Sequence, residues 1–191
     1  MNINEFIHVE DNLISPTIVA QIIRYANTVS YDVGTTIGDR NPETVKTIRN
    51  TETFPLYSLS PSLTNAHWAN LLIHYFRIAF DNYKKKFPYV DYKRILDLSI
   101  LKYETGGFYK FHIDHAEAIP RTLSVIILLN NDYEGGNLTF LDQASKQEKI
   151  IENKVGRLIL WPSNFIYPHC VTPVTKGTRY SIVLWALKKK F

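Results

Sequence analysis

The stretch FHIDH, residues 111–115, brings together three side chains that can bind a metal or move a proton: His112, Asp114 and His115. In an extended strand, residues i and i+2 point to the same face. The spacing therefore predicts that His112 and Asp114 present an imidazole and a carboxylate side by side, while His115 points the other way. Such a pair is either half of a metal site or two polar groups on the wet face of a strand. The stretch alone is compatible with both interpretations.

A further histidine, His169, follows the apolar run GRLILWP and stands in IYPHCVTPV. Two imidazoles and one carboxylate on separate strands make the 2-His-1-carboxylate facial triad of non-haem Fe(II) oxygenases. Three protein ligands on one face of the metal leave positions open for a bidentate co-substrate and then O₂. A lone HxD occurs often by chance, but HxD with a distal histidine on a strand-rich frame favours an iron site.

Arg179 lies in KGTRYSIVLW, a run that is otherwise rich in apolar residues. In one interpretation its stem packs on an edge strand while its head reaches water. In the other, the guanidinium is buried and binds a carboxylate in bidentate geometry. A buried arginine without a partner is costly, so the second interpretation predicts an anionic ligand. A dicarboxylate keto acid fits, because one end can chelate the metal while the other reaches Arg179.

Residues 1–94 form the helical and loop part of the predicted fold. One helix is predicted to begin at Ser15-Pro16, where serine is a good N-cap and proline suits the first turn. A longer amphipathic helix is predicted from Ser60-Pro61 or Ser62 to Pro88. The polar stretch between the two helices is predicted to be a loop with two short strands around 47–50.

From residue 95 onwards, short β-rich runs alternate with turn residues such as Gly106-Gly107 and Gly135-Gly136. Many short strands at this spacing are typical of a sandwich or jelly roll. We therefore expect one domain over residues 1–191, of the α+β class and mainly β. Its double-stranded β-helix core would span 95–191 and be braced by the N-terminal helices.

Composition limits the class of protein. The 191 residues are 45% hydrophobic and 13% aromatic, which is enough for a packed core and argues against disorder. The single cysteine, Cys170, allows no internal disulfide and favours a reducing, cytoplasmic location. No signal peptide or membrane span is predicted. The formal charge of +4 includes the runs 84–86 and 188–190, interpreted as solvated ends of elements rather than a nucleic-acid stripe.

The region from Leu101 to Leu187 resembles the 2-oxoglutarate- and Fe(II)-dependent dioxygenases, and most closely their prolyl 4-hydroxylase-like branch. The residues that carry the resemblance occur in the family's order: Tyr103, Gly107, His112, Asp114, Arg121, Leu129, Asn130, Gly135, Gly136, Leu138, Phe140, Gly156, His169, Gly177, Arg179, Tyr180 and Trp185. The chain departs from animal oxygen-sensing relatives at Leu128 and Val183, where those carry Tyr and Thr.

The resemblance implies roles for several residues. The three Fe(II) ligands would be His112, Asp114 and His169. Arg179 would pair with the distal carboxylate of the co-substrate 2-oxoglutarate, and ascorbate is a further implied cofactor. Two further side chains would contact that carboxylate or line its pocket: Tyr103 and Ser181. Four residues would lie near the substrate: Arg49, Tyr109, Arg121 and Trp185.

The activity that the resemblance implies is 2-oxoglutarate- and O₂-dependent hydroxylation, with succinate and CO₂ as co-products. A prolyl residue in a peptide or protein is the favoured substrate, and the loop over residues 30–56 is a candidate lid. One alternative is a small-molecule hydroxylase acting on a free amino acid. Another is a non-catalytic jelly-roll binding module. A nucleic-acid or lipid demethylase is disfavoured, because that branch carries a second arginine where this chain has Trp185.

Overall fold

The structure is a computed structural model, and it describes residues 3–37, 42–43, 45–57 and 62–187. Two antiparallel sheets face each other in this part of the chain, and helices cover the outer side of the larger sheet. A 3-10 helix over Ile3–Glu5 precedes the first strand. The strands are numbered β1 to β16 in chain order.

The major sheet has seven strands. In spatial order they are β1 (His8–Glu10), β13 (Leu158–Pro162), β9 (Arg121–Leu128), β16 (Arg179–Leu187), β7 (Arg94–Tyr103), β6 (Glu52–Pro55) and β2 (Asp32–Val33). All neighbouring pairs are antiparallel. The three long central strands, β9, β16 and β7, therefore form the frame to which shorter strands are added.

The minor sheet has five strands. In spatial order they are β12 (Glu148–Ile150), β11 (Leu138–Leu141), β14 (His169–Val171), β8 (Phe108–His112) and β5 (Arg49–Asn50). Two further pairs stand apart from both sheets. They join β10 (Glu134–Gly135) with β15 (Val174–Lys176), and β3 (Thr36–Ile37) with β4 (Pro42–Glu43). The predicted jelly roll is confirmed.

Alternation along the central strands separates the two faces of the major sheet. On β16, Ile182, Leu184 and Ala186 point outwards into a large aliphatic core. The residues between them, Val183 and Trp185, point inwards towards the minor sheet. Because successive side chains in a strand point to opposite faces, one strand serves both layers.

Two helices cover the outer face. Helix α1 spans Pro16–Ala26, and the Ser15 side chain caps it by accepting a hydrogen bond from the Ile18 amide. Helix α2 spans Leu63–Lys86, and Ser62 accepts from the Asn65 amide. Both helices bury apolar residues in the same core as the outer face of the sheet. The predicted bracing is confirmed; the alternative α2 start at Ser60-Pro61 lies outside the described residues.

The N-terminal part contributes more strand than the helix-and-loop prediction allowed. Strands β1, β2 and β6 extend the major sheet, and β5 extends the minor one. The two short strands predicted around 47–50 are instead β5 and β6, which lie on either side of Thr51. Such short strands lack a periodic pattern of their own, since pairing with a long neighbour determines them.

No helix among the described residues is long and apolar enough to cross a membrane. The lysines at 84–86 are exposed in the last turn of α2, where positive charge suits the helix dipole. The second lysine run, 188–190, lies outside the described residues, as do residues 38–41 and 44 of the candidate lid.

Candidate active site

A bulge in β8 aims two aromatic rings into the space between the sheets. His112 pairs with His169 on β14, whereas Tyr109, three residues earlier, pairs with Val171, two residues later. The extra residue turns Lys110 and Phe111 outwards and leaves Tyr109 and His112 stacked, with ring centroids 3.6 Å apart. A bulge is a common means of re-aiming a side chain beside a functional site.

Asp114 does not share a strand with His112, and that part of the strand prediction is wrong. Strand β8 ends at His112, and Asp114 lies in the bend that follows. The bend nevertheless brings the carboxylate beside the imidazole, with Asp114 Oδ1 3.6 Å from His112 Nε2. His115 is directed away from this pair, and its Nδ1 donates to the Arg121 carbonyl at 2.9 Å.

Three side chains converge on one point between the sheets. The ligand atoms of His112, Asp114 and His169 all lie within 4.8 Å of one another. Asp114 Oδ2 is 3.4 Å from His169 Nε2, and both residues are buried. The end of β8, the bend after it and the start of β14 thus bring together the three residues that the sequence indicated, although His112 and His169 are 57 positions apart along the chain.

Hydrogen bonds select the imidazole tautomers. His112 Nδ1 donates to the Lys110 carbonyl at 2.8 Å, and His169 Nδ1 donates to the Tyr167 carbonyl at 3.0 Å. In a neutral ring with its proton on Nδ1, the lone pair lies on Nε2, and both Nε2 atoms lie toward Asp114. Burial lowers the pKa of His169 to about 4, so its ring is neutral near pH 7 and able to bind a cation.

Asp114 is ionised despite its position. Burial opposes the charged form, but the neighbouring His169 and His112 and the Ser124 hydroxyl hold the pKa of this carboxyl well below its usual range. Ser124 Oγ donates to Asp114 Oδ2 at 2.6 Å. One buried carboxylate and two imidazoles form a donor set that suits Fe(II) and other divalent cations.

Arg179 is fully buried at the other end of the inner face. Its Nη1 donates to Ser181 Oγ at 2.8 Å, and its guanidinium lies over the Tyr103 ring at 5.1 Å from the centroid. Its Nε and Nη2 have no hydrogen-bond partner in the described part of the chain. A buried cation with unused donors is costly unless an anion binds there.

Two residues near Arg179 were given no role in the site by the sequence reasoning. The Tyr133 hydroxyl is buried, and burial raises the pKa of this tyrosine while the Arg179 guanidinium opposes part of that rise. Gly136 has φ 58°, and a Cβ there would meet Arg179 Cδ at 3.0 Å. The Gly-Gly turn was noted only as part of a pattern; its physical reasons are the positive φ of both glycines and their close approach to Pro173, Val174 and Arg179.

A cavity of about 370 Å³ connects the three-residue cluster with the surface. The four predicted substrate residues line it in two stacked pairs. The Arg49 guanidinium lies 4.8 Å from the Tyr109 ring centroid, and the Arg121 guanidinium lies 3.8 Å from the Trp185 ring. Of the predicted co-substrate residues, Tyr103 lines this cavity, whereas Arg179 and Ser181 are buried behind its wall.

Asp97 is a third residue that the sequence did not single out. It lines the cavity and pairs with Arg121, with Oδ2 3.2 Å from Nη2. Its φ is 55°, and the register of β7 against β16 shifts between Val183 and Trp185, opposite this position. A left-handed residue in a long strand marks local strain, which is found most often near functional sites.

A double-stranded β-helix with two histidines, a carboxylate and a buried arginine between its sheets defines a class of metal-dependent oxygenases. Residues 98–187 match the 2OG-Fe(II) oxygenase superfamily. Through this region, which is a little less than half of the chain, the protein resembles that superfamily, and the proteins it matches include PKHD-type and prolyl hydroxylases.

Curated relatives match over a similar region. A PKHD-type hydroxylase of Synechococcus sp. strain CC9902 is 37% identical over 98 residues, which cover 49% of this chain and 42% of the relative. One from Shewanella oneidensis is 38% identical over 92 residues, covering 44% and 39%. The aligned part is thus less than half of each relative's length.

Solved structures share the fold over nearly the whole chain. A prolyl hydroxylase in complex with a hypoxia inducible factor peptide fragment from Trichoplax adhaerens has a TM-score of 0.74 at 19% identity, covering 96% of this chain and 84% of that one. A Pseudomonas putida prolyl-4-hydroxylase has a TM-score of 0.72 at 17% identity, covering 96% and 93%. At these identities the likeness is one of fold.

Proposed function

We propose that this protein is a 2-oxoglutarate- and Fe(II)-dependent hydroxylase whose substrate is a prolyl residue in a peptide or protein. The observation that carries the proposal is that two sets of ligand-binding groups lie at one cavity. A cluster of two imidazoles and one carboxylate lines its wall, and a buried guanidinium with unused donors lies behind it. A divalent metal and a dicarboxylate would satisfy both.

His112, Asp114 and His169 would hold the iron. Their geometry fits this role, because both Nδ1 atoms donate to backbone carbonyls, both Nε2 atoms lie toward Asp114, and the carboxylate is ionised. When bound, the iron supplies the oxidation chemistry in which O₂ and 2-oxoglutarate yield succinate, CO₂ and a hydroxylated substrate. Three protein ligands leave room for the co-substrate.

Arg179 would bind the distal carboxylate of 2-oxoglutarate. Its two unused donors match a carboxylate's two oxygens, and Ser181 already fixes the third side of the guanidinium. Tyr103 and Tyr133 would add ring contact and a hydroxyl. With aliphatic Leu128 and Val183 on the same inner face, binding of this carboxylate would depend on Arg179 more than on any other group.

The substrate would enter between the two stacked pairs. A cavity of about 370 Å³ holds 2-oxoglutarate and one more small group, so a peptide would insert a single residue and leave its flanks outside. The flat rings of Tyr109 and Trp185 suit a five-membered apolar ring, and the arginines would donate to main-chain carbonyls. The prolyl hydroxylase and PKHD-type relatives support this substrate class.

The first experiment is an anaerobic visible spectrum on adding Fe(II) and then 2-oxoglutarate. We expect a weak charge-transfer band that requires both additions and is lost or weakened in Arg179→Ala. Arg24→Ala is the matched control, since Arg24 is exposed on α1. No band in the wild type at high ligand concentration would remove the oxygenase proposal and favour the binding-module alternative.

Succinate release then tests the substrate class. A capped proline-containing peptide and free L-proline are compared with the same Fe(II) and 2-oxoglutarate. We expect stimulation by the peptide, with hydroxylation found on its proline by mass spectrometry. Turnover with free proline and none with peptides would instead select the free-amino-acid alternative.

A further inference from the structure

A serine interrupts the apolar series of β9. Ser124 is 0% exposed and is followed by four buried apolar residues, Val125 to Leu128. On the inner face it pairs with Trp161 of β13 and Trp185 of β16. A buried hydroxyl between two indoles needs partners, and Ser124 has two: the Asp114 carboxylate and the Ser163 hydroxyl.

The direction of these hydrogen bonds follows from counting protons. Ser124 Oγ is 2.6 Å from Asp114 Oδ2, and an ionised carboxylate can only accept. The single Ser124 hydroxyl proton is therefore used in the hydrogen bond that Ser124 donates to Asp114. Ser124 Oγ is also 2.7 Å from Ser163 Oγ, so Ser163 must be the donor in that contact. The result is a chain of hydrogen bonds with one direction, in which Ser163 donates to Ser124 and Ser124 donates to Asp114. This chain is called the relay.

Ser163 also holds the backbone of the bend that carries Asp114. Its carbonyl accepts from the His115 amide at 2.9 Å, and its own amide donates to the Thr122 carbonyl at 3.0 Å. Arg121 Nη1 donates to the Asp114 carbonyl at 3.3 Å. The bend is thus tied to β9 and to Ser163, the residue after β13, at backbone and side chain, although it lies beyond the end of β8.

The relay treats the two carboxylate oxygens differently. Both oxygens face the cluster, since Oδ2 lies 3.4 Å from His169 Nε2 and Oδ1 lies 3.6 Å from His112 Nε2. Oδ2 accepts a short, charge-assisted hydrogen bond from Ser124, whereas Oδ1 accepts no such bond from the described residues. The bond from Ser124 fixes the rotation of the carboxylate, because turning it would lengthen that bond. With Oδ2 engaged by Ser124, Oδ1 is the oxygen that is left for a metal.

We propose that Ser124 and Ser163 are positioning residues that make Asp114 a one-oxygen metal ligand. The inference rests on the proposed function, in that it takes His112, Asp114 and His169 as the metal ligands. One-oxygen binding leaves three coordination positions open, whereas two-oxygen binding would occupy one of them. The relay would therefore protect the space that the co-substrate and O₂ require.

The test uses Mn²⁺ alone as the probe, with no co-substrate. Free Mn²⁺ is counted by its EPR signal to obtain the dissociation constant, and water-proton relaxation reports how many waters remain on the bound ion. We expect Ser124→Ala to weaken Mn²⁺ binding about 10-fold or more. We also expect relaxation per bound ion to fall by about one third, because the freed carboxylate replaces one of three waters.

Companion variants separate positioning from folding. Ser124→Thr retains the hydroxyl and should have the wild-type dissociation constant. Ser163→Ala retains the hydrogen bond from Ser124 to Asp114 and should weaken Mn²⁺ binding less than Ser124→Ala does. Thr139→Val is the matched control, because it removes a buried hydroxyl from β11 that does not contact Asp114. Thermal melting of each metal-free variant identifies any that fail to fold. If Ser124→Ala does not fold, the test is made with Ser163→Ala.

The outcomes distinguish this inference from the proposed function. Wild-type protein that does not bind Mn²⁺ would overturn both. Wild-type binding with unchanged affinity and relaxation in folded Ser124→Ala and Ser163→Ala would overturn the relay and leave the proposed function standing. Weaker binding with unchanged relaxation would retain the positioning role but contradict one-oxygen binding.

Discussion

The two faces of the major sheet are built from the same strands and differ in kind. The outer face of β16 carries Ile182, Leu184 and Ala186, which are fully buried against the helices. The inner face carries Arg179 and Ser181, which are equally buried. These three outer side chains need only apolar packing, whereas the inner face has polar groups with incomplete partners.

Alternate side chains of the single strand β16 therefore serve different purposes: the outer ones stabilise the fold, and the inner ones face the candidate site. Within the described residues, the buried side-chain donors without partners include Arg179 Nε and Nη2 and the indole nitrogens of Trp161 and Trp185, all on the inner face. Local rules are broken mainly where function requires it. The inner face is thus adapted to bind ligands at the expense of its own packing, and the outer face supplies the stability.

The largest expected effect is on co-substrate binding. Arg179→Met removes the buried cation, and we expect 2-oxoglutarate affinity to fall by about 2–5 kcal/mol, or roughly 30-fold to several-thousand-fold. Because the wild-type guanidinium is incompletely paired, the ligand-free variant should melt at the same temperature or higher. Titration calorimetry and thermal melting check the two halves. A large fall in melting temperature would mean that the inner face is needed for folding after all.

The opposite face should respond in the opposite way. Leu184→Ala is expected to lower the free energy of unfolding by about 2–5 kcal/mol, since it opens a cavity in the helix-facing core. The folded fraction should bind 2-oxoglutarate and Mn²⁺ as the wild type does. Urea unfolding gives the first quantity, and calorimetry below the transition gives the second. Weaker ligand binding by the folded variant would show that the faces are coupled.

Strain at the cavity mouth predicts a smaller difference between two variants of Asp97. Its φ of 55° suits glycine and is unfavourable for alanine. Both substitutions delete the ion pair with Arg121, so the comparison isolates the backbone. We expect Asp97→Ala to be less stable than Asp97→Gly by about 1 kcal/mol, as measured by urea unfolding. Equal stabilities would mean that β7 relaxes its bulge at no cost.

The smallest expected effect on stability is at Asp11, which follows β1 at the edge of the major sheet. The hydrogen bonds from Arg157 and then Lys154 hold the pKa of Asp11 well below its usual range. A carboxyl with a depressed folded-state pKa stabilises the fold above its unfolded-state pKa, and this stabilisation is lost as the pH falls through the depressed value. Because the pair is partly exposed, Asp11→Asn should cost only about 0.5 kcal/mol at pH 7. Urea unfolding at pH 7 and pH 3 should show the loss shrinking in acid.

The sequence by itself determined the elements whose signals are local. Ser15 and Ser62 mark the helix starts because a hydroxyl at the N-cap satisfies a free amide within the same turn. The jelly roll followed from strand spacing. The three metal-ligand candidates and Arg179 followed from residue type and order, and the other site residues followed from the family resemblance. Their roles as ligands remain predictions that the proposed experiments test.

Only the tertiary structure decided which groups meet across sheets and bends. The bulge that stacks Tyr109 on His112, the ion pair of Asp97 with Arg121, and the relay from Ser163 through Ser124 each join residues that pair through neighbouring strands or a bend. Strand pairing and register depend on contacts between segments that are distant in the sequence, so no local sequence pattern predicts them. Propensity and periodicity report what a residue does beside its chain neighbours, whereas the geometry of this site depends on neighbours that folding supplies.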